Sequence, residues 1–213
     1  IKIGSKVIPD GKNHGILDVG GILQKSSNVG VTKLAMMMED EDFLKAFYSV
    51  GFGVDTASGF PGESAGIFNI RPNWSKIEKA TLAYGYGFTV TPVQLAQAYA
   101  VLGAHGVKRP LSLVKIDKTE SGEQVIESSI AQQVIEMMET VVSEGGTGQK
   151  ADGKGYRIAG KTGTARKAIG GGYGDEYSVF FAGIAPVSDP KIAMVVFVDE
   201  PGSEDYYGGQ VAA

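Results

Sequence analysis

The segment YSVFFAGIAPVSDPKIAMVVFVD, residues 177–199, consists of two apolar runs on either side of a short turn. The second run, 191–199, is apolar at both alternating sets of positions, which is typical of a strand covered on both faces. The stretch from Pro186 to Pro190 is too short for a crossover helix, so the two runs predict an antiparallel hairpin. A further strand-like run, 156–164, precedes them.

Helical patterns occupy much of the chain before this hairpin. Apolar residues recur with helical spacing after Ser26-Ser27-Asn28, and acidic residues open a second helix at residue 40. Thr91-Pro92-Val93-Gln94 predicts a capped helix start, and Ser128-Ser129 begins another helix that ends at Gly145-Gly146. These elements predict an α/β fold of the α+β type, an antiparallel sheet with helices on both faces.

Other segments are predicted to be less regular. Residues 1–25 indicate short strands and turns, and residues 51–74 are rich in glycine and proline. Residues 165–176 hold several glycines, with Arg166 and Lys167 at the base of the segment. Because glycine has many accessible backbone conformations, we expect this segment to be a mobile loop that closes over a ligand.

Composition excludes several classes of function. The 213 residues carry a net charge of −4 and no block of basic residues, which argues against nucleic-acid binding. The absence of cysteine excludes disulfides, zinc–thiolate sites, iron–sulfur clusters and a cysteine nucleophile. No apolar run reaches the roughly 18 residues that a membrane-spanning helix needs.

The string GYRIAGKT, residues 155–162, matches the phosphate-binding loop of nucleotide-binding proteins. Such a loop works when a helix starts directly after it. Five glycines at positions 163–174 would cost a helix there roughly 5 kcal/mol, so we expect no helix. Nucleotide binding is therefore the least favoured of the functions considered.

The same residues fit acyl transfer better. Lys161-Thr162-Gly163-Thr164 ends a predicted strand and supplies a positive charge and two hydroxyl donors at the sheet edge. Gly163 would let a substrate backbone lie close to the strand, and the Thr164 backbone N–H could stabilise a developing oxyanion. Ser26 and Asn28 place a hydroxyl and a carboxamide at a helix start, where such residues also serve as simple caps.

In this order, the motifs resemble the transpeptidase domain of the class B penicillin-binding proteins, in particular the division-specific members of the gammaproteobacteria. The segments that carry the resemblance extend over nearly the whole chain and are Ser26–Gly30, Tyr84–Gly87, Val90–Ala96, Gly145–Gly148, Lys161–Ala165 and Tyr206–Gly209. The resemblance implies the serine β-lactamase-like fold and a serine-type D-Ala-D-Ala transpeptidase. Such an enzyme cross-links peptidoglycan stem peptides during septal cell-wall synthesis and is the target of β-lactams.

The resemblance also implies roles for individual residues. Ser26 would relay a proton to the leaving amine, and Asn28 would orient the catalytic lysine and the substrate amide. Lys161 would support the field around the serines, with Thr162 and Thr164 holding the terminal carboxylate. Further substrate-binding residues would be Gly163, Arg166 and the tyrosines of an aromatic wall, Tyr86, Tyr177, Tyr206 and Tyr207. No metal or cofactor is implied, because covalent catalysis and backbone donors carry the reaction.

One departure from the family pattern concerns the nucleophile. The family's serine lies in an S-x-x-K motif on a buried helix well before the segment that matches Ser26–Asn28. The one S-x-x-K string here, Ser112-Leu113-Val114-Lys115, follows that segment and lies in a strand-like run. Residues 1–213 are therefore expected to be a partial transpeptidase domain without the S-x-x-K helix and the C-terminal helix, and to be inactive alone.

The incomplete domain leads to further expectations. The apolar residues of 177–185 and 191–199 should be partly exposed, and the fragment should self-associate. The full protein is expected at the periplasmic face of the bacterial inner membrane, held by an N-terminal anchor outside this chain, with stem peptides, β-lactams and divisome proteins as partners. A non-catalytic scaffold or a β-lactam-sensing relative of the same fold remains the alternative.

Overall fold

The computed structural model describes residues 1–68, 74–153, 155–170, 172–202 and 206–213. The principal sheet is antiparallel with strand order β5-β6-β7, and the short strands pair as β1-β2 and β3-β4. In chain order the elements are β1 (Lys2–Ile3), β2 (Lys6–Val7), α1 (Val19–Lys25), α2 (Asn28–Met37), α3 (Asp40–Ser49), α4 (Lys76–Ala83), α5 (Pro92–Gly103), β3 (Val107–Lys108), β4 (Glu123–Gln124), α6 (Ser128–Val142), a 3-10 turn (Gln149–Ala151), β5 (Ala159–Ile169), β6 (Gly172–Ala185), β7 (Ile192–Asp199) and α7 (Gly208–Val211).

Helices cover both faces of this sheet, as predicted. Ala159 and Ile184 are cross-strand partners in β5 and β6, and both pack with Ile135 of α6 and Tyr99 of α5. Phe181 lies three residues before Ile184, so it faces the opposite side of the strand. There it packs against the C-terminal end of α6 and against α7. The predicted hairpin of β6 and β7 is confirmed by the pairing of residues 178–185 with residues 192–199.

The outer strand β7 is less covered than its sequence predicts. Ile192 and Phe197 are 61% and 48% exposed, so coverage on both faces is wrong for this strand. β7 is the edge strand of the β5-β6-β7 order, and only β6 pairs with it in that sheet. The expected partial exposure of apolar residues is thus confirmed for β7, whereas in residues 177–185 the side chains of Val179 and Ile184 are buried.

The glycine-rich segment 165–176 is a hairpin arm instead of an irregular loop. β5 continues beyond the predicted end at Thr164, and β6 begins before the predicted start at Tyr177. The pairs Arg166–Tyr177 and Ala168–Tyr173 keep the two strands in register around a bulge. Gly171, which belonged to the loop prediction, lies outside the described residues. The closure of this arm over a ligand stays a prediction.

A helix was also missed near the N-terminus, where only strands and turns were predicted. α1 begins after Asp18, whose carboxylate accepts a hydrogen bond from the Gly21 N–H at 2.7 Å. Two adjacent glycines in α1 argue against a helix, since each lowers helix stability by about 1 kcal/mol relative to alanine. Packing compensates, because α1 lies against α6 and Gln24 donates to the Thr140 carbonyl at 3.2 Å.

A second core supports the helix that carries Asn28. Ala35 of α2, Phe43 of α3 and Leu82 of α4 form this core, with Trp74 and Phe88 packed around it. The predicted helix starts after Ser26–Asn28, at residue 40 and at Thr91 are confirmed. The helical spacing therefore predicted α2, α3 and α5 correctly. The packing of α2 against α3 and α4 holds the helix that begins at Asn28.

The irregular segment before α4 is held by two polar side chains. Buried Gln94 of α5 donates to the carbonyls of Val54 and Ala65 at 2.6 and 2.9 Å. The Glu63 carboxylate accepts hydrogen bonds from Thr56 and Ser58, and these bonds lower its pKa to about 2. The segment is thus ordered without regular structure as far as residue 68; residues 69–73 of the predicted irregular stretch lie outside the described residues.

Thr32 offers a test of the packing of α2. Its side chain is fully buried, and within the described part of the chain its hydroxyl has no hydrogen-bond partner. Because an unsatisfied buried hydroxyl is destabilising, Thr32→Val should raise the free energy of unfolding by about 1 kcal/mol in urea titrations. Thr81→Val is the matched control, since the Thr81 hydroxyl donates to the Ile77 carbonyl at 2.7 Å and its loss should destabilise. A loss of stability in Thr32→Val would contradict the assignment.

Candidate active site

The turn between α1 and α2 places Ser26 and Asn28 at the surface. Ser26 ends α1 in the left-handed region, with φ of 53°, and its side chain is exposed. The cap of α2 is the next residue, Ser27, whose hydroxyl accepts from the Gly30 N–H at 2.8 Å. Ser27 therefore caps α2, so Ser26 and the exposed Asn28 are not needed as caps and are available to a ligand.

Asp10 fixes this turn from a distant part of the chain. Its carboxylate accepts from the Ser27 hydroxyl at 2.6 Å and from the Val29 N–H at 3.0 Å. These two bonds hold the start of α2 on both sides of Asn28. A non-glycine residue in the left-handed region, such as Ser26, is strained and persists only where its surroundings hold it. Asp10 therefore positions the turn that carries Ser26 and Asn28.

Lys161 joins this turn to the sheet. Its ammonium group donates to the Ser26 hydroxyl at 2.7 Å and to the Thr162 carbonyl at 2.9 Å. Burial lowers the pKa of Lys161 to about 8, because charging an amine is unfavourable where water is excluded. A lysine with this pKa is protonated at neutral pH and can still exchange its proton near pH 8. The Ser26–Lys161 pair is thus suited to proton transfer.

Two backbone groups on the free edge of β5 beside this pair are already hydrogen-bonded, and Thr164 lies between them. The Arg166 N–H is bonded to the Tyr86 hydroxyl at 3.0 Å, outside the β5-β6 ladder. Residues two apart in a strand point their backbone groups to the same edge, so those of Thr164 and Thr162 also face outward. Since Lys161 occupies the Thr162 carbonyl, the Thr164 N–H and C=O form the open donor–acceptor pair between the two closed positions.

The two threonine hydroxyls next to this edge belong to a larger hydrogen-bonded group. The Thr162 and Thr147 hydroxyl oxygens lie 2.8 Å apart, and the Thr164 hydroxyl accepts from the Gly208 N–H at 2.9 Å. Thr162 and Thr164 share one face of the strand, since they are two residues apart. The loop 145–148 and the start of α7 therefore support the hydroxyls that the sequence singled out.

Gly163 is required for packing within the protein. A Cβ at this position would overlap the ring of Phe180, its cross-strand partner, and Gly208 lies against the Gly163 carbonyl. The sequence interpretation, in which Gly163 makes room for a substrate backbone, stays a prediction. The structure adds a second reason why a side chain is not tolerated there.

Tyrosines gather around Arg166 of β5. Tyr177 stacks on Tyr206 with ring centroids 4.2 Å apart, and Tyr206 stacks on Tyr207 at 4.6 Å. The Arg166 guanidinium lies 5.7 Å from the Tyr177 ring centroid. In a second group, Tyr86 meets Tyr173 edge to face at 5.0 Å. All four predicted wall tyrosines are therefore in aromatic contacts, in two groups, and Tyr207 is 58% exposed.

Two sequence alternatives do not fit the geometry. Residues 159–169 form a strand, so Lys161-Thr162 is not followed by the helix that a phosphate-binding loop requires. Ser112-Leu113-Val114-Lys115 lies in an irregular loop, not in the predicted strand-like run, and the Ser112 hydroxyl donates to the Val114 carbonyl at 2.7 Å. Neither segment has the structure that its motif needs.

Three residues that contribute to the candidate site were not predicted from the sequence. Asp10 lies 17 residues before Ser27, and no local pattern connects the two. Thr147 belongs to a quoted segment, Gly145–Gly148, but had no role, and Gly208 contributes only its backbone N–H. Lys25, next to Ser26, donates instead to the Gly145 carbonyl at 2.8 Å, as expected for a neighbour on a different helix face.

Comparisons with known proteins identify the family of the chain. The sequence model described as "Penicillin binding protein transpeptidase domain" matches residues 3–213. The chain is 45% identical over 214 residues to "Peptidoglycan D,D-transpeptidase FtsI" of Escherichia coli K12, and the match covers 100% of this chain and 36% of the relative. It is 41% identical over 212 residues to "Probable peptidoglycan D,D-transpeptidase PenA" of Neisseria gonorrhoeae, covering 99% of this chain and 36% of the relative.

A solved structure shows the same fold. The apo transpeptidase domain of penicillin-binding protein 3 from Burkholderia pseudomallei superposes with a TM-score of 0.90 at 42% identity, covering 96% of this chain and 63% of that one. The chain thus spans about a third of the length of the curated relatives named above. Because the transpeptidase-domain model matches residues 3–213 and the fold agrees with a solved transpeptidase domain, the chain belongs to the penicillin-binding protein transpeptidase family.

Proposed function

We propose that this chain is the part of a serine-type peptidoglycan D,D-transpeptidase that binds substrate and relays protons. The observation that carries the proposal is the 2.7 Å contact between Lys161 and Ser26 beside the open Thr164 position of β5. A polar pair of this kind next to an unpaired strand residue can bind an extended peptide and move a proton at its scissile bond. The names of the relatives support the same reaction class.

In the proposed reaction, the terminal D-Ala-D-Ala of a stem peptide pairs with the free edge at Thr164. The terminal carboxylate accepts hydrogen bonds from the Thr162 and Thr164 hydroxyls. The Thr164 N–H donates to the carbonyl oxygen that becomes negative during attack. The tyrosines and Arg166 surround the rest of the donor, and Asn28 orients its amide.

The proposed nucleophile is a serine in polypeptide outside residues 1–213. Its oxygen attacks the carbonyl of the penultimate D-alanine, its proton passes to the Ser26–Lys161 pair, and an ester forms as the C–N bond breaks. Ser26, bonded to Lys161, passes a proton to the departing D-alanine amine. The amine of a second stem then attacks the ester, forms the cross-link and returns a proton to the serine. No redox or metal step is needed.

The cellular setting follows from the same proposal. The full protein would act in septal cell-wall synthesis at the periplasmic face of the inner membrane, with divisome proteins as partners and β-lactams as substrate mimics. The anchor would lie outside this chain. Among the described residues, no helix is both long and apolar enough to cross a membrane.

Penicillin labelling tests the proposal directly. Two proteins would be incubated with excess fluorescent penicillin: this chain, and a longer form extended at its N-terminus by the preceding residues of its own gene. The mass of each intact protein would then be measured by mass spectrometry. We expect no covalent adduct on residues 1–213, because Val29 stands three residues after Ser26, where an S-x-x-K motif would place the activating lysine. The longer form should carry one adduct per molecule.

The outcomes separate the alternatives. An adduct that maps to Ser26 or Ser112 would contradict the proposed external nucleophile. A longer form that never labels would favour a non-catalytic scaffold. A longer form that labels but cannot join a donor and an acceptor stem peptide would be a β-lactam sensor, so the transpeptidation assay assigns the activity.

A further inference from the structure

Three hydroxyl groups form a row at the edge of the site. Thr162 and Thr164 lie on one face of β5, and Thr147 approaches Thr162 from the loop after α6 to an oxygen–oxygen distance of 2.8 Å. Thr147 is exposed, whereas Thr162 and Thr164 are half-buried. The family resemblance assigned carboxylate binding to Thr162 and Thr164 but not to Thr147.

The hydrogen bonds within this row determine how many hydroxyl protons remain free to bind a ligand. Each hydroxyl has one proton to donate. Thr164 already accepts from the Gly208 N–H at 2.9 Å, so its proton is directed elsewhere. Thr147 and Thr162 share one hydrogen bond, in which one hydroxyl donates and the other keeps its proton. Two protons therefore remain available, which matches the two oxygens of a carboxylate.

The backbone around Thr147 is held in place even though its side chain is exposed. The Lys25 ammonium group donates to the Gly145 carbonyl at 2.8 Å, and the Gly148 N–H donates to the Val141 carbonyl at 2.9 Å. Gly209 lies so close to the Thr147 carbonyl that a Cβ would overlap it. These contacts hold the backbone of Thr147 in the position from which its hydroxyl reaches Thr162.

We propose that Thr147 is a third carboxylate-binding residue, which either donates to the carboxylate itself or fixes the Thr162 hydroxyl as the donor. This inference rests on the proposed function, in which Thr162 and Thr164 hold the terminal carboxylate of the acyl donor. Thr147 thereby gives the site its preference for a free terminal carboxylate over a blocked one. Without the Thr147 hydroxyl, the Thr162 hydroxyl loses the partner that fixes its orientation, so its proton is no longer directed at the carboxylate.

The test compares two acylating agents in the longer, penicillin-labelling form of the protein. Second-order acylation rates are measured for benzylpenicillin, which has a free carboxylate, and for its methyl ester, which does not. Thr147→Val should lower the benzylpenicillin rate about tenfold and leave the ester rate unchanged, since a hydrogen bond to a charged group contributes that much. Thr147→Ser restores the hydroxyl and should recover the wild-type ratio. Thr119→Val, in the exposed loop before β4, is the matched control.

Each outcome has one meaning. A wild-type protein that does not distinguish acid from ester would overturn the proposed carboxylate site as a whole. If the wild type distinguishes them and Thr147→Val keeps the same ratio, the inference about Thr147 is wrong while the proposed function stands. Equal slowing of both reagents by Thr147→Val would show a structural role and would also overturn the inference.

Discussion

Replacing Lys161 with methionine should slow penicillin acylation of the longer form by about 10²- to 10⁴-fold, the range typical of a lost acid–base group. Its ammonium group makes the described contacts to both the Ser26 hydroxyl and the Thr162 carbonyl. Methionine keeps the length and apolar stem of the side chain and removes the proton. The thermal unfolding temperature, measured alongside, should change little compared with the rate.

The same residue predicts the pH dependence. The folded-state pKa of Lys161 is lowered to about 8 by burial, so its charge is present below pH 8 and lost as the pH rises through that value. If the ammonium group is the required form, the acylation rate should fall above pH 8 in the wild type, and this fall should be absent in Lys161→Met. Lys45→Met is the control, since that lysine is exposed on α3 and makes none of the site contacts described above. A rate that climbs steadily to pH 10 would contradict the requirement for the charged form.

The helices could be predicted from sequence where their start signals are local. Thr91 and Gln94 form a capping box, with Pro92 in the first turn, and all of these signals lie within four residues. Ser75 and Glu78 form the same box at α4, so that helix could have been found by the same rule. α1 has the Asp18 cap but no capping box, and its glycines oppose a helix, so contact with α6 has to stabilise it.

The glycine-rich arm shows how tertiary contacts override composition. Glycine weakens an isolated strand, yet β5 and β6 remain paired beyond Arg166. Lys167 ties the base of the arm to Asp199 and Glu200 at 3.0 and 2.5 Å, which joins β5 to the end of β7. These partners are more than 30 residues apart in sequence, so a window of neighbouring residues cannot report them.

The site was predictable only as a set of motifs. Lys161 and Ser26 are separated by 135 residues, and their contact follows from the fold alone. The family resemblance identified both residues, but it could not show that Tyr86 closes the β5 edge at Arg166. Backbone direction in a strand is set by pairing, and pairing partners are not written in the local sequence. The contacts between Lys161 and Ser26 and between Tyr86 and Arg166 are therefore visible only in the structure.

Gly209→Ala should disrupt the site through its backbone packing. A Cβ on Gly209 would overlap the Thr147 carbonyl oxygen and lie 3.1 Å from the carbonyl carbon, so neither side can rotate away. Helix propensity alone favours alanine by about 1 kcal/mol, and less in a helix as short as α7. Overpacking against a rigid backbone costs about 1–3 kcal/mol, so we expect a net loss of stability.

The separation of α7 from the 145–148 loop should also reach the active site. If α7 shifts, the Gly208 N–H leaves the Thr164 hydroxyl and the Thr147–Thr162 pair loses its support. Gly209→Ala should therefore lower both the urea midpoint and the benzylpenicillin acylation rate, the latter by more than tenfold because two carboxylate donors are affected. Gly11→Ala is the control, since a Cβ there meets no other atom of the described residues within 4 Å. Wild-type stability and acylation in Gly209→Ala would show that α7 does not hold the three hydroxyls in place.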